Sequence, residues 1–405
     1  MTKVLVINSG SSSLKMQIVD TARADADSAL VTVLVERIGL DDGLLHIERA
    51  AGDEAAAAER TVERDFADHT SAVRAVLELC EELGVDPATM GVEAVGHRVV
   101  HGGTEFSSAV RINDEVKEVI DELSLLAPLH NPPNLRGIRV AEDLLPDLPH
   151  VAVFDTGFFQ SLPARAYTYA IDRERADEWD LRRYGFHGTS HDYVSHRAAE
   201  MLGRPYDSVN QIVLHLGNGA SMSAIERGRA VDTSMGLTPL EGLVMGTRPG
   251  DIDPGLLIHL MRDRGVSAGD LSGLLNKDSG LKGLSGHADF REVTRLAAAG
   301  DRDAALAYDV VLHRLRRYLG GYWALLGELD AITFTAGVGE NSTQLRADTL
   351  STLSSWGVTV DEAANAGPND GPRVISGADS QVTVMVIPTN EELSIARACV
   401  EVLGR

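Results

Sequence analysis

Two arginines stand in glycine-rich surroundings: Arg98 in GHRVVHGG and Arg248 in MGLTPLEGLVMGTRPGDIDPG. The second stretch is apolar as well as rich in Gly and Pro. A charge placed there needs a partner, because an unpaired buried charge is costly. That partner is Asp251 or Asp253 of the same segment, or an anionic ligand. Asp155 ends the apolar run VAVFD. An Asx turn or helix cap and a functional acid are both open readings there. Asn8, Ser11, Ser13 and Lys15 follow the apolar run of VLVINSGSSSLK. They read equally as a polar hairpin or as a turn whose amides face an anion. His187, His191 and His196 lie in RRYGFHGTSHDYVSH, where the spacing is not that of HExxH and argues against zinc. Glu391 and Glu392 are either ligands or first-turn acids placed by the helix dipole.

Three small-residue turns join these groups: NSGSSS, GNGA and AGVGENS. With two arginines, one lysine and several strand-end acids and amides, the inventory suits phosphoryl transfer. That chemistry depends on positioning and charge neutralisation rather than on a strong nucleophile. No Ser-His-Asp spacing, GxSxG elbow or cysteine nucleophile competes with it.

The elements that must carry these residues are α/β in pattern. Leu14, Met16 and Ile18 alternate with Lys15, Gln17 and Val19, so the chain opens as strand, turn, strand. IVLHLGNGASMSAIE repeats that pattern past mid-chain, which suggests two related halves. ITFT reads as a strand, Gly337 to Asn341 as a loop, and STQLRADTLSTLSSWG as a helix started by Asn341 or Ser342 and ended by Gly357. HTSAVRAVLELCEELG reads as an amphipathic helix. The 118–145 region reads as helix, Pro break, helix, and ALAYDVVLHRLRRYLGGYWALLGEL as a helix pair. The closing helix shows an apolar stripe of Leu393, Ala396, Val400 and Leu403. Residues 20–64, with AGDEAAAAER, read as solvated insertions around strands such as 31–35.

Composition narrows the partners. The 405 residues exceed a usual single core, so two domains are expected. A formal net charge of -23 argues against binding nucleic acid or anionic lipid. The two cysteines form no Cys-x-x-Cys pair and read as buried thiols. No stretch has the apolar length of a membrane helix or a signal-peptide core, so a cytoplasmic protein is expected.

Taken in order, VLVINSGSSSLK, GHRVVHGG, LAPLHNPPNL, VAVFDTGFFQSLP, RRYGFHGTSHDYV, HLGNGAS, DTSMGLTPLEGLVMGTRPGDIDPG, NKDSGLKGLSG, FTAGVGEN and IPTNEEL resemble the acetate kinase family over essentially the whole chain. The resemblance implies two duplicated actin-like, ribonuclease H-like domains, each with a mixed five-stranded sheet, around an interdomain ATP cleft. Its domains are expected at 1–157 plus 391–405 and at 158–390, with the closing helix completing the first. It implies acetate between Arg98 and Arg248, with a methyl pocket of Val100, Leu129, Phe186 and Pro239. His187 contacts the phosphoryl group and Asp155 orients or pairs with the arginines. Asn8 and Glu391 hold Mg²⁺, or Mn²⁺. For ATP it implies Lys15, His215, Leu216, Gly217, Asn218 and Gly219, then Asp289, Phe290 and Arg291, then Gly337, Val338, Gly339, Glu340 and Asn341. A homodimer is also implied. Propionate or butyrate kinases of the same fold, and an actin- or Hsp70-like ATPase switch, are the alternatives. Departures from the family are Phe158-Phe159-Gln160, where many members read Phe-His-Gln, and His287-Ala288-Asp289, where many read Ser-Ser-Asp.

Overall fold

A computed structural model describes residues 2–10, 12–51 and 57–404. Ser11 and part of the AGDEAAAAER segment lie outside the described residues. The chain divides into two compact units, residues 1–160 with 390–405, and residues 161–389.

In the first unit the strands are β1 (Lys3–Ser9), β2 (Ser13–Asp20), β3 (Ala29–Glu36), β4 (Leu44–Arg49), β5 (Ala58–Glu63), β6 (Val92–Val99), β7 (Val110–Arg111) and β8 (His150–Phe154). They form one sheet in the order β5-β4-β3-β2-β1-β6-β8-β7. The second unit carries β9 (Gln211–Leu216), β10 (Ala220–Glu226), β11 (Arg229–Thr233), β12 (Ala331–Thr335), β13 (Arg373–Val374) and β14 (Thr383–Val386). Their order is β11-β10-β9-β12-β14-β13.

The two sheets share a core. In each, a leading strand pairs antiparallel with the next, which pairs antiparallel with a third. On its other side the leading strand is followed by two parallel partners. This duplicated five-strand core, β3-β2-β1-β6-β8 and β11-β10-β9-β12-β14, sits inside sheets of eight and six strands, which corrects the five-strand expectation. The additions are β4 and β5, from the 20–64 region, and the two-residue edges β7 and β13. In β4, Leu45 and Ile47 are buried and alternate with His46 and Glu48, so this strand is half-buried rather than a solvated insertion.

Helices cover the sheets where their apolar faces allow it. His69–Glu82 begins with a capping box between Asp68 and Ser71. In Asn131–Leu144 the prolines fall in the first turn, where their missing N–H costs nothing. Arg302–Leu326 is one helix, not a pair. Two central glycines cost about 1 kcal/mol each, but Leu315, Leu319, Tyr322 and Leu326 carry one buried stripe straight through them. The segment expected as a loop at 337–341 is a short helix, Ala336–Asn341. Thr343–Leu350 follows, with Ser342 as its cap, and a tighter turn of helix runs to Gly357.

The closing helix Glu391–Val402 packs on the first unit's sheet. Its buried residues are Leu393, Ile395, Ala396 and Cys399, so Val400 and Leu403 lie at the edge of the expected stripe. Gly96 on β6 makes that seat possible: a Cβ there would lie 2.7 Å from Cys399 Sγ and 2.8 Å from Ile395 Cγ2. Both cysteines are buried thiols. Among the described residues no helix is long and apolar enough to cross a membrane.

Candidate active site

Each unit carries a cluster of polar groups at the carboxyl ends of its parallel strands, where ligands of open α/β sheets bind. In the first unit, β6 and β8 run parallel with Arg98 opposite Val153. Asp155 lies two residues beyond Val153, so alternation puts its side chain on the face that Arg98 uses. Arg98 Nε donates to Asp155 Oδ1 at 2.9 Å and Nη2 donates to Oδ2 at 2.7 Å, a bidentate fork. Glu391 Oε2 stands 3.8 Å from the same Nη2. The Arg98 side chain is 19% exposed and that of Asp155 2%. Burial pulls the guanidinium pKa down, but Asp155, Glu391 and Glu392 outweigh it, and the net shift is upward.

Around this pair, the Val100 N–H donates to Asn134 Oδ1, and Asn134 Nδ2 donates to the Ser9 carbonyl. Leu129 is 48% exposed, ahead of the helix Asn131–Leu144. Asn8 sits opposite Lys15 in the β1–β2 register. Lys15 forms an ion pair with Glu392.

The second unit places Arg248 differently. Its Nη1 donates to the Pro239 carbonyl at 2.7 Å. Neither neighbouring acid pairs with it. Asp251 is engaged by Arg317 at 2.7 Å, by the Tyr318 hydroxyl and, at 3.5 Å, by Arg314. Asp253 caps the helix Pro254–Asp263. Among the described residues no carboxylate lies within ion-pair distance of Arg248, and burial alone lowers its pKa.

Gly219 opens the space beside this cation. A Cβ on Gly219 would lie 2.7 Å from Arg248 Nη2 and 3.3 Å from His187 Nε2, so the guanidinium, the imidazole and the GNGA turn border one small volume. His187 holds a left-handed backbone, φ 59°, at the start of the helix Gly188–Leu202. Such a conformation is uncommon for a side-chain-bearing residue and clusters at functional sites. The helix's next turn brings Ser190 and His191 to the face of β9 and β10 that carries His215, Ser221 and Ser223. Ser221 Oγ lies 2.9 Å from His187 Nδ1 and 2.7 Å from His191 Nε2. Ser223 Oγ lies 2.8 Å from His191 Nδ1, and Ser190 Oγ lies 2.7 Å from His215 Nδ1. The His187 and His215 rings stack 4.2 Å apart. Burial holds His191 well below the usual imidazole range, with the neighbouring His215 adding to the shift. Phe186 is 1% exposed.

Next to this cluster the second unit encloses a cavity of about 960 Å³. Leu216, Gly217, Asn218, Asp289, Phe290, Arg291, Gly337, Val338 and Asn341 line it, so the structure gathers segments far apart in sequence. Asp289 caps the helix Phe290–Ala298, and hydrogen bonds from Arg291 hold its carboxyl at about 2. Asn218 packs against Gly246, where a Cβ would meet its Oδ1 at 2.0 Å. Gly339 and Glu340 are not in the lining. Glu340 Oε1 accepts from the Thr389 N–H, and the carbonyls of both residues accept from the buried Arg346. Sequence reasoning missed the apolar lining of Leu243, Val244, Met245, Leu281, Val311, Leu315 and Leu345, together with Ala288 and Thr294. The apolar GLVMG run between glycines was its available signal. It also missed Ser221 and Ser223, which look like ordinary strand alternation.

Comparison with known proteins agrees along the whole length. A family described as "Acetokinase family" matches residues 3–397. The acetate kinase of Corynebacterium efficiens is 53% identical over 400 residues, covering 98% of each chain, and that of Leifsonia xyli is 53% identical over 404 residues, covering 100% of each. Among solved structures, Porphyromonas gingivalis acetate kinase superposes with a TM-score of 0.91 at 42% identity, covering 100% of both chains. A propionate kinase from Francisella tularensis gives 0.90 at 39% identity, covering 98% of this chain and 99% of that one. The two duplicated α/β units are the actin-like fold of those enzymes, and this chain belongs to the acetokinase family.

Proposed function

We propose that the protein transfers the γ-phosphoryl group of ATP to acetate, reversibly, giving ADP and acetyl phosphate. The carrying observation is Arg248: a largely enclosed cation with no carboxylate among the described residues within ion-pair distance, sharing the space over Gly219 with His187. A fold does not leave such a charge uncompensated without cost, and an anionic substrate supplies the compensation.

Acetate is ionised at pH 7, so its oxygen attacks the phosphorus in line without a general base. The difficulty is bringing one anion to another. Arg248 and Arg98 neutralise the carboxylate and the equatorial oxygens, and His187 Nε2 contacts the phosphoryl group in flight. Asp155 fixes the fork of Arg98. The adenosine end occupies the cavity near Asp289, Phe290 and Arg291, and the phosphates run along Gly217, Asn218 and Gly219 toward Gly337 and Asn341.

Among the described residues no group of three or more acidic, His or Cys side chains could hold a metal ion on its own. This fits Mg²⁺, which uses one or two protein oxygens together with substrate phosphates and water. Asn8 and Glu391 would supply those oxygens, and the ion would offset phosphate charge when bound.

Propionate is the competing acceptor. The overall likeness to acetate and propionate kinases does not separate them. The β-branched Val100, beside Arg98, narrows the methyl pocket and favours acetate, with propionate a poorer substrate. A second copy of the chain is the proposed cover for the helix Pro254–Asp263. None of its residues is buried, and Leu256, Ile258 and Met261 are exposed on it. Light scattering reads that mass.

The deciding assay is acetate-dependent ADP formation with the product trapped as acetyl hydroxamate. Hydroxamate formation that requires both ATP and acetate is expected. ATP hydrolysis indifferent to acetate would support an ATPase switch instead.

A further inference from the structure

We infer that Ser223, His191 and Ser221 form a directed hydrogen-bond chain that holds His187 with its proton on Nε2, aimed at the phosphoryl group. The inference rests on the reading of His187 given above, and it names positioning residues for that reaction.

The chain follows from counting protons. His191 and both serines are 0% exposed. Ser221 Oγ is shared between His187 Nδ1 and His191 Nε2, and His191 Nδ1 lies against Ser223 Oγ. A hydroxyl has one proton to donate, and a neutral imidazole has one N–H and one lone pair. Burial keeps His191 neutral. Three arrangements therefore satisfy these contacts, the third having Ser221 accept from both rings, which leaves the His187 proton on Nδ1 as the reverse polarity does. In one, Ser223 donates to His191 Nδ1, His191 Nε2–H donates to Ser221, and Ser221 donates to His187 Nδ1. Neutral His187 then carries its proton on Nε2. In the reverse polarity His187 Nδ1–H donates to Ser221, and a neutral ring turns the Nε2 lone pair outward.

The site chooses between them. Nε2 borders the volume over Gly219 that Arg248 also borders. Phosphoryl oxygens placed there are acceptors, so a lone pair facing them repels and an N–H binds. The tautomer of a catalytic histidine is set by what its other nitrogen touches. Here that contact is the end of a fully buried series, and strand alternation together with helical spacing builds it: Ser221 and Ser223 on one face of β10, His187 and His191 one turn apart.

The test uses full-length protein saturated with ATP and Mg²⁺, with ¹⁵N-labelled histidine rings at pH 8, where an ordinary imidazole is neutral. The His187 signals are identified by their loss in His187→Asn. The expected result is protonated Nε2 and unprotonated Nδ1 in the wild type. Ser223→Ala should release the polarity, giving a mixture of tautomers and a kcat lower by about tenfold at unchanged KM for acetate and ATP. Ser223→Thr, which keeps the hydroxyl, should restore both. Protonated Nδ1 in the wild type would overturn the inference, as would a Ser223→Ala protein with wild-type tautomer and kcat. If Ser223→Ala does not fold, the wild-type spectrum alone decides the polarity. Full turnover in His187→Asn would instead remove the phosphoryl role of His187 while leaving the chain standing.

Discussion

Arg98 and Arg248 are the same residue type in glycine-rich segments, one in each unit, but their surroundings are opposite. Arg98 is gripped by Asp155 through two hydrogen bonds and has Glu391 close by. Arg248 touches a carbonyl, and the acids nearest it in sequence serve other groups. The difference teaches what each charge does. Arg98 is held in place by the fold and helps hold it, so its guanidinium is presented in one orientation. In the proposed function Arg248 is the charge left for a ligand, to be compensated when an anion arrives.

Removing Arg98 should produce the largest combined effect. Arg98→Ala loses the guanidinium proposed to act on the reacting groups and removes both of its hydrogen bonds to the buried Asp155 carboxylate. Turnover should fall by roughly 10³-fold or more, and stability by about 3 kcal/mol. Steady-state kinetics and a urea melt read the two losses. A variant with normal stability would mean that the fork is not part of the fold's own balance.

Asp155→Asn sharpens the comparison. It keeps the shape but removes the charge that locks Arg98. Because Asp155 is the buried partner of that fork, the expected cost is about 2 kcal/mol in the melt, with a raised KM for acetate. An unaltered acetate KM would show that Asp155 does not aim Arg98.

Acid should expose buried histidines in both units. Burial lowers the pKa values of His97, His150 and His191 below that of a free imidazole, and His97 also feels the neighbouring His150. The unfolded chain therefore takes up these protons before the folded one does. Stability is unaffected well above pH 6.5 and is lost as the pH falls below it, by up to about 1.4 kcal/mol per pH unit for each histidine. Melting temperatures at pH 7.5 and pH 5.5 check the sign. A protein more stable at pH 5.5 would contradict it.

The smallest effect belongs to Val100, proposed to line the methyl pocket. Val100→Ala should move the ratio of kcat/KM for propionate over acetate upward by about 1 kcal/mol, roughly fivefold. An unchanged ratio removes Val100 from the methyl pocket.

Much of this was legible in the sequence because glycine and proline mark the positions where backbone must approach closely or turn. Arg98, Asp155, His187 and Arg248 all stood beside such marks. The contrast between the arginines was not legible. Whether Arg248 pairs with Asp251 turned on Arg314, Arg317 and Tyr318, which claim Asp251 from a distant helix. Ser221 and Ser223 were hidden for a related reason. Their role depends on register with β9 and on the turn of helix after His187, and neither is local. In the fold, the two related halves followed from hairpins and alternating runs and the five-strand cores from the family resemblance, while β4 escaped because acidic and alanine-rich segments surround it.

The most direct test of the account is to measure turnover and melting temperature together for Arg248→Gln. If the charge is kept for the ligand, kcat/KM for acetate in the hydroxamate assay falls by roughly 10³-fold. The melting temperature then stays level or rises, because no carboxylate among the described residues loses a partner. Near-normal turnover, or a collapse in melting temperature like that expected of Arg98→Ala, would contradict it.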